Sequence, residues 1–266
     1  MKLLLKLIWN GAGYAGYQAQ RDIDAPKPSI QRTLTAAFSE GLGFPCRVTG
    51  CSRTDAGVHA LGFCAAVEPA QAHEDDWLRI PIGRVHRAMR SHLPPDIAIA
   101  GEAAVSDDFH PRYFAVGKEY LYRMNDAPWD DPFSAGTAWH LPRPFPPDGI
   151  DRMRRAAGFF VGRRDFTSFM AAGSKITDAT RCVTALTVER TGHEITLTVS
   201  ADGFLYHMVR ILAGTLADCA WGSIEPEDFA AILAARDRAR AGRTAPAHGL
   251  YLARVEYHPP IDWQCE

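Results

Sequence analysis

Apolar and polar positions along this chain fall into strand and helix periods that recur in a repeated order. Lys2 to Trp9 is a leucine-rich run of strand length. Ser29 is a good helix N-cap, and the spacing after it predicts a helix through about Glu40 with Gly41 as its stop. Strand-like segments follow near 46–50 and 62–67. A helix is predicted from about Trp77 to His92, ended by Pro94-Pro95, and then a strand at Ile97–Ala100. The order is βαββαβ, the split βαβ arrangement.

The second half repeats the rhythm. Lys118 to Met124 reads as a strand with Tyr120 and Tyr122 on one face by the two-residue period. A proline-rich connector spans Pro128 to Pro147, and a helix is predicted from about Gly149 to Gly162. A hairpin pairs Thr184–Glu189 with Glu194–Val199 around Thr191-Gly192. Helices over about Leu205–Ala220 and Pro226–Arg236 precede a last strand, Tyr251–Tyr257. The expected fold is α+β, with two ferredoxin-like or RRM-like (βαββαβ-type) halves, 1–105 and 106–266. Their sheets are expected to join into a mixed, mainly antiparallel sheet with a central cleft, where the loops at the seam, and Asp55 with them, should lie.

Composition narrows this little. At 266 residues, 47% hydrophobic and 23% charged, the chain is ordinary for a globular protein. No stretch approaches the ~20 apolar residues of a membrane span. The N-terminal run is too short for a span and lacks a small-residue cleavage site, so a cytoplasmic protein is expected. Six cysteines without a C-x-x-C pair, and histidines without H-E-x-x-H, support neither a disulfide framework nor a metal site. The net charge of −2 does not advertise a nucleic-acid binder. Local charge is less neutral: Arg152, Arg154, Arg155, Arg163 and Arg164 crowd one segment and Arg236, Arg238, Arg240 and Arg243 another. Such clusters suit phosphate, although a solvated helix face is the commoner reading.

The candidate chemistry centres on Gly50-Cys51-Ser52-Arg53-Thr54-Asp55-Ala56-Gly57-Val58-His59, a loop between two strands. The spacing of Arg53 and Asp55 lets a cation keep the carboxylate ionised and aimed, which suits a nucleophile or a general base. A second feature is Gly11-Ala12-Gly13-Tyr14-Ala15-Gly16, a formal G-x-G-x-x-G directly after a strand. A dinucleotide site needs a helix starting within those glycines. Here Pro26 and Pro28 intervene, and the helix begins only at Ser29.

The run from Gly50 to His59 resembles the catalytic signature of the TruA family of tRNA pseudouridine synthases, whose aspartate falls on Asp55. Gly13 to Gln20 resembles that family's G-Y-x-G-W-Q-x-Q loop, with Tyr17 where tryptophan is usual, so an aromatic platform is kept. Asp108-Phe109-His110-Pro111-Arg112 resembles its D-F-H-x-R stretch, which leads into the strand that carries Tyr120. Phe204-Leu205-Tyr206-His207-Met208-Val209-Arg210 resembles F-L-x-H-M-V-R, and Asp165–Phe169 with Arg181 resembles D-F-T-S-F and its downstream arginine. Asp237-Arg238 through Thr244–Leu252 resembles the D-R-x-x-A-G-x-T-A-P-x-x-G-L-x-L ending. The motifs run in order over about residues 2 to 257.

The resemblance implies a cofactor-free isomerase that converts uridine to pseudouridine at positions 38 to 40 of the tRNA anticodon stem–loop, working as a homodimer. It implies that Asp55 attacks a flipped nucleotide, at C6 of the uracil or near C1′. Tyr120 would stack on the base and Arg210 would pair with Asp55. Arg53 would contact a phosphate or fill the space the base leaves. Leu250, Arg163, Arg164 and Arg238 are further candidate substrate contacts. Two rivals remain at this point: a non-catalytic RNA-binding module, since fold does not set function, and a nicotinamide-dependent enzyme built on Gly11–Gly16.

Overall fold

The leucine-rich run forms strand β1, Lys2–Trp9, with Leu3, Leu4, Leu5 and Leu7 fully buried. Three consecutive buried leucines require cover on both faces and neighbours on both edges. β1 has its edge neighbours in antiparallel β3 (His59–Pro69) and β4 (Ile97–Val105). The structure, a computed structural model, describes residues 1–19, 26–70, 79–173 and 176–264. It divides into two units, one of Met1–Val116 with Leu252–Glu266 and one of Gly117–Tyr251.

In the first unit, helix α1 (Ile30–Leu42) begins where Ser29 accepts the Arg32 amide on its side chain. It continues past the expected stop at Gly41 and ends at Gly43, which takes φ 79° and returns its amide to Ser39. Gly41 instead lies inside the helix, close against the Met89 side chain. Strand β2 (Cys46–Gly50) pairs with β3, giving the order β4-β1-β3-β2 of a split βαβ unit. β10 (Leu250–Tyr257) pairs with β3 as well.

The helix expected over Trp77–His92 starts outside the described residues, and its described part is helical only over α2, Val85–Met89. Pro81 and Gly83, the latter at φ 89°, form a turn that delays it. The amides of Val85 and His86 then reach the buried carboxylate of Glu102 at 3.0 and 3.2 Å.

In the second unit, β5 (Ala115–Asn125) pairs with β9 (Glu194–Ala201), β9 with β8 (Thr180–Thr191) and β8 with β7 (Gly162–Asp165), all antiparallel. Tyr120, Tyr122 and Met124 lie opposite Val199, Leu197 and Ile195, so the two-residue period of each strand builds one apolar face. The short strand β6 (Trp139–His140) runs parallel to the end of β5.

Helix α3 (Gly149–Ala157) is shorter than the expected 149–162. A 3₁₀ turn follows it, and β7 then begins at Gly162 with φ 97°. Arg152 ties α3 to α4 (Met208–Ala220) through the Cys219 carbonyl at 2.9 Å. α4 starts three residues later than expected, since His207 sits at φ 59° and cannot be helical. The helix expected at Pro226–Arg236 is a 3₁₀ turn followed by α5, Phe229–Ala235. No helix among the described residues is long and apolar enough to cross a membrane.

Candidate active site

Asp55 sits on the connection between β2 and β3, partly exposed, beside the exposed Arg53. It is the first residue of a tight turn. The Val58 amide returns to the Asp55 carbonyl at 3.2 Å, and Gly57 at the third position takes φ 81°. A positive φ at that position is what a type II turn demands and what glycine supplies.

The glycine-rich segment after β1 grips this turn from both sides. The Tyr17 amide donates to the Thr54 carbonyl at 3.1 Å, and the Gly57 amide donates to the Tyr14 carbonyl at 3.3 Å. The Trp9 indole donates to the Val58 carbonyl at 3.0 Å, and the Gly11 amide donates to Nδ1 of His59 at 3.0 Å. The approach is close enough to exclude side chains: a Cβ on Gly11 would lie 2.0 Å from the Val58 oxygen. On Gly16, which has φ 92°, a Cβ would lie 2.4 Å from the Thr54 oxygen.

The gripping segment is itself held. Asn10 caps it by accepting from Ala12, and the Asn10 amide reaches the Asp96 carbonyl at 3.0 Å. The Tyr14 hydroxyl donates to Asp96 at 2.6 Å. Burial and the neighbouring carboxylate both push that phenol above its usual range. The first amides of α1 are used here too, from Ile30 to Gly16 and from Gln31 to Tyr17. Helix N-terminal amides without an intrahelical partner are thus spent on fixing the loop.

Beneath it, Trp9, Tyr17 and Phe63 form a ring cluster with Tyr17 and Phe63 centroids 4.5 Å apart. Tyr17 is 3% exposed, a core residue rather than a surface platform. The G-x-G-x-x-G segment therefore has a structural role that no nucleotide is needed to explain.

In the second unit, Tyr120 is 7% exposed and meets Phe204 edge to face, with centroids 4.9 Å apart. Arg210 lies in the first turn of α4, where no acidic residue accompanies it. Its Nε donates to the Ala245 carbonyl at 2.8 Å, and its own carbonyl accepts the Ala245 amide at 3.0 Å. A cation beside the positive end of a 13-residue helix creates a local preference for an anion.

The segment after Ala245 lies across β5. The Tyr122 hydroxyl donates to the Pro246 carbonyl at 2.8 Å, and a Cβ on Gly249 would fall 2.7 Å from the Tyr122 ring. Leu250 follows as the buried first residue of β10. Between them, His248 is held below its ordinary pKa by burial and by Arg210, against an opposing hydrogen bond to Ala138.

The arginine clusters separate into committed and uncommitted groups. Arg152 bonds Cys219 and Ile224 and pairs with Glu225 at 3.0 Å, which raises its pKa. Arg154 reaches Val188 and Asp151, Arg236 pairs with Asp165, and Arg243 pairs with Asp218. Arg238 bonds Ala241 and Thr244, and Arg164 bonds the Arg163 carbonyl. The exposed side chains of Arg155, Arg163 and Arg240 make no hydrogen bond or ion pair among the described residues.

The residue pattern alone does not reach His59 or the grip on the Asp55 turn. The available signal is a glycine motif after a strand with no helix following, which marks close backbone approach as well as it marks a phosphate site.

Residues 156–258 match the family described as tRNA pseudouridine synthase. A relative from Moorella thermoacetica named tRNA pseudouridine synthase A is 41% identical over 255 residues, covering 96% of this chain and 99% of the relative. Relatives of the same name from Bacillus pumilus and Ruminiclostridium cellulolyticum are 37% and 36% identical. Each match covers 99% of the relative, and 97% and 96% of this chain. A solved Cbf5-Nop10-Gar1 complex aligns over 97% of this chain and 50% of the matched chain, at TM-score 0.40 and 14% identity. On identity over nearly its whole length, the chain belongs to the tRNA pseudouridine synthases, enzymes that isomerise uridine in tRNA to pseudouridine.

Proposed function

We propose that the chain isomerises uridines at positions 38, 39 and 40 of the tRNA anticodon stem–loop, with Asp55 as nucleophile on a flipped nucleotide. The observation that carries this reading is the turn at Asp55, fixed by its own hydrogen bond and by four more from residues 9–17. A partly exposed carboxylate on so constrained a backbone is positioned before substrate arrives, which is what covalent catalysis needs.

In the reaction the N1–C1′ bond breaks, a C5–C1′ bond forms, the C5 proton leaves and N1 gains one. Substrate and product are isomers, so the step requires no redox partner. The carboxylate adds and later departs, at C6 or at C1′, and the fixed turn serves either route. Tyr120 stacks on the uracil, which offsets part of the few kcal/mol lost on flipping, at about 1–3 kcal/mol per stacked base. Arg210, at the positive end of α4, orients and holds the Asp55 carboxylate. Arg53 meets the phosphate of the target nucleotide or the gap its base leaves.

Leu250, Arg163, Arg164 and Arg238 complete the substrate contacts, and a cytoplasmic homodimer carries one tRNA across both protomers. Dimerisation enlarges the basic surface without altering a chain charge of −2. The test is chemical mapping of pseudouridine in an anticodon stem–loop RNA with uridines at all three positions. Wild type should convert them, and Asp55→Asn should bind the RNA and convert none. Conversion at other uridines only would refute the site choice, and conversion by Asp55→Asn would refute the nucleophile.

A further inference from the structure

The Asp55 turn ends at His59, the first residue of β3, which is 1% exposed. Its Nδ1 lies 3.0 Å from the Gly11 amide. An amide N–H meets a ring nitrogen only where that nitrogen carries its lone pair. The contact therefore assigns a neutral ring with its hydrogen on Nε2.

Neighbouring contacts make this one matter. Val58 is bonded to Asp55 through its amide and to Trp9 through its carbonyl, so the segment from Asp55 to Val58 has little freedom, and His59 carries it into β3. The Gly11–His59 bond adds a side-chain anchor at that junction. Gly11 reaches it only because it has no side chain, as the Val58 oxygen occupies the space a Cβ would fill.

We infer that His59 is a positioning residue for catalysis: through Nδ1 and the Gly11 amide it sets the exit of the Asp55 turn and hence the aim of the carboxylate. The inference rests on the reading of Asp55 as nucleophile. His59 acts through the backbone of the Asp55 turn. A misplacement of about 1 Å at a nucleophile costs on the order of a hundredfold in rate, so one hydrogen bond at the exit of the turn has a measurable kinetic effect.

The experiment is steady-state kinetics on anticodon stem–loop RNA for His59→Asn, His59→Gln and His59→Phe, with thermal melting of each and Asp55→Asn as reference. The side-chain oxygen of asparagine falls where Nδ1 sits, and that of glutamine falls nearer Nε2. His59→Asn should keep kcat within a few-fold of wild type. His59→Gln and His59→Phe should lose about tenfold or more in kcat, with KM changed less than about threefold. A role in filling the core would follow melting temperature and would not separate asparagine from glutamine. Equal kcat for the two amides, or a loss confined to KM, overturns the inference. If His59→Phe does not fold, the asparagine and glutamine pair decides. An active Asp55→Asn would remove the nucleophile reading and this inference with it, whereas an inactive one beside equal amide variants removes the inference alone.

Discussion

The backbone amide of Tyr17 donates to the carbonyl of Thr54 at 3.1 Å, immediately before Asp55. The candidate nucleophile is thus anchored by the glycine-rich segment after β1, far upstream in the chain. That relationship is backbone to backbone, so it tolerates changes of side chain at Tyr17 far better than changes of conformation at Gly16.

Gly16→Ala should be damaging. The new Cβ would lie 2.4 Å from the Thr54 oxygen at φ 92°, so the loop must shift or strain by about 1–3 kcal/mol. Kinetics on an anticodon stem–loop should show kcat down by about tenfold or more. Gly43→Ala is the control, since it also has a positive φ (79°) but open space around it. It should lower stability by about 1 kcal/mol and leave kcat unchanged.

Tyr17→Phe should be harmless or stabilising. The Tyr17 hydroxyl is buried and finds no hydrogen-bond partner among the described residues. Removing an unsatisfied buried polar group relieves a penalty of about 1–3 kcal/mol. Denaturant unfolding should give a midpoint equal to or above that of wild type, with activity retained.

Arginine substitutions should divide by what each guanidinium already does. Arg163→Ala should weaken tRNA binding and reduce the slope of log K against log salt by roughly 0.7–0.9 for each phosphate it no longer neutralises, with melting unchanged. Arg152→Ala should do the opposite, lowering melting temperature because its bonds to Cys219, Ile224 and Glu225 are gone. Filter binding across a salt series, beside thermal melts, separates the two.

Asp126→Ala should be among the most destabilising changes. The carboxylate is fully buried, pairs with Arg190 at 2.9 Å and His193 at 3.2 Å, and accepts the Phe145 amide. Removing one partner of a buried ion pair costs about 3–5 kcal/mol, toward the lower end here because Arg190 is partly exposed and can be rehydrated. Urea titration gives the value directly.

Stability should fall as pH drops below the ordinary histidine range. His248 has its folded pKa lowered by burial first and by Arg210 next, so the unfolded chain takes up the proton before the folded one does. Its contribution is complete above about pH 6.5 and is lost as pH falls through the lowered folded value. Melts from pH 7.5 to 5 should show a shallower decline for His248→Gln than for wild type.

Much of this architecture is legible in residue pattern. β1 occupies its expected span, Ser29 caps α1, and the hairpin of β8 and β9 extends the predicted pair on both sides. β7 is not legible, because Gly162-Arg163-Arg164-Asp165 has no apolar alternation and forms a strand only by pairing with β8. The late start of α4 depends on a left-handed His207, a conformation that histidine does not announce. The loop that carries Asp55 lies between two strands, as its sequence suggests. Three of the four bonds that hold its turn use backbone amides as donors, which have no side-chain signature.

Single-turnover pseudouridine formation by Asp55→Asn, with RNA affinity measured on the same preparation, tests the account most directly. If Asp55 is the nucleophile, the dissociation constant stays within about threefold of wild type and the rate falls by about a thousandfold or more. A rate near that of wild type in the Asp55→Asn protein would contradict that assignment.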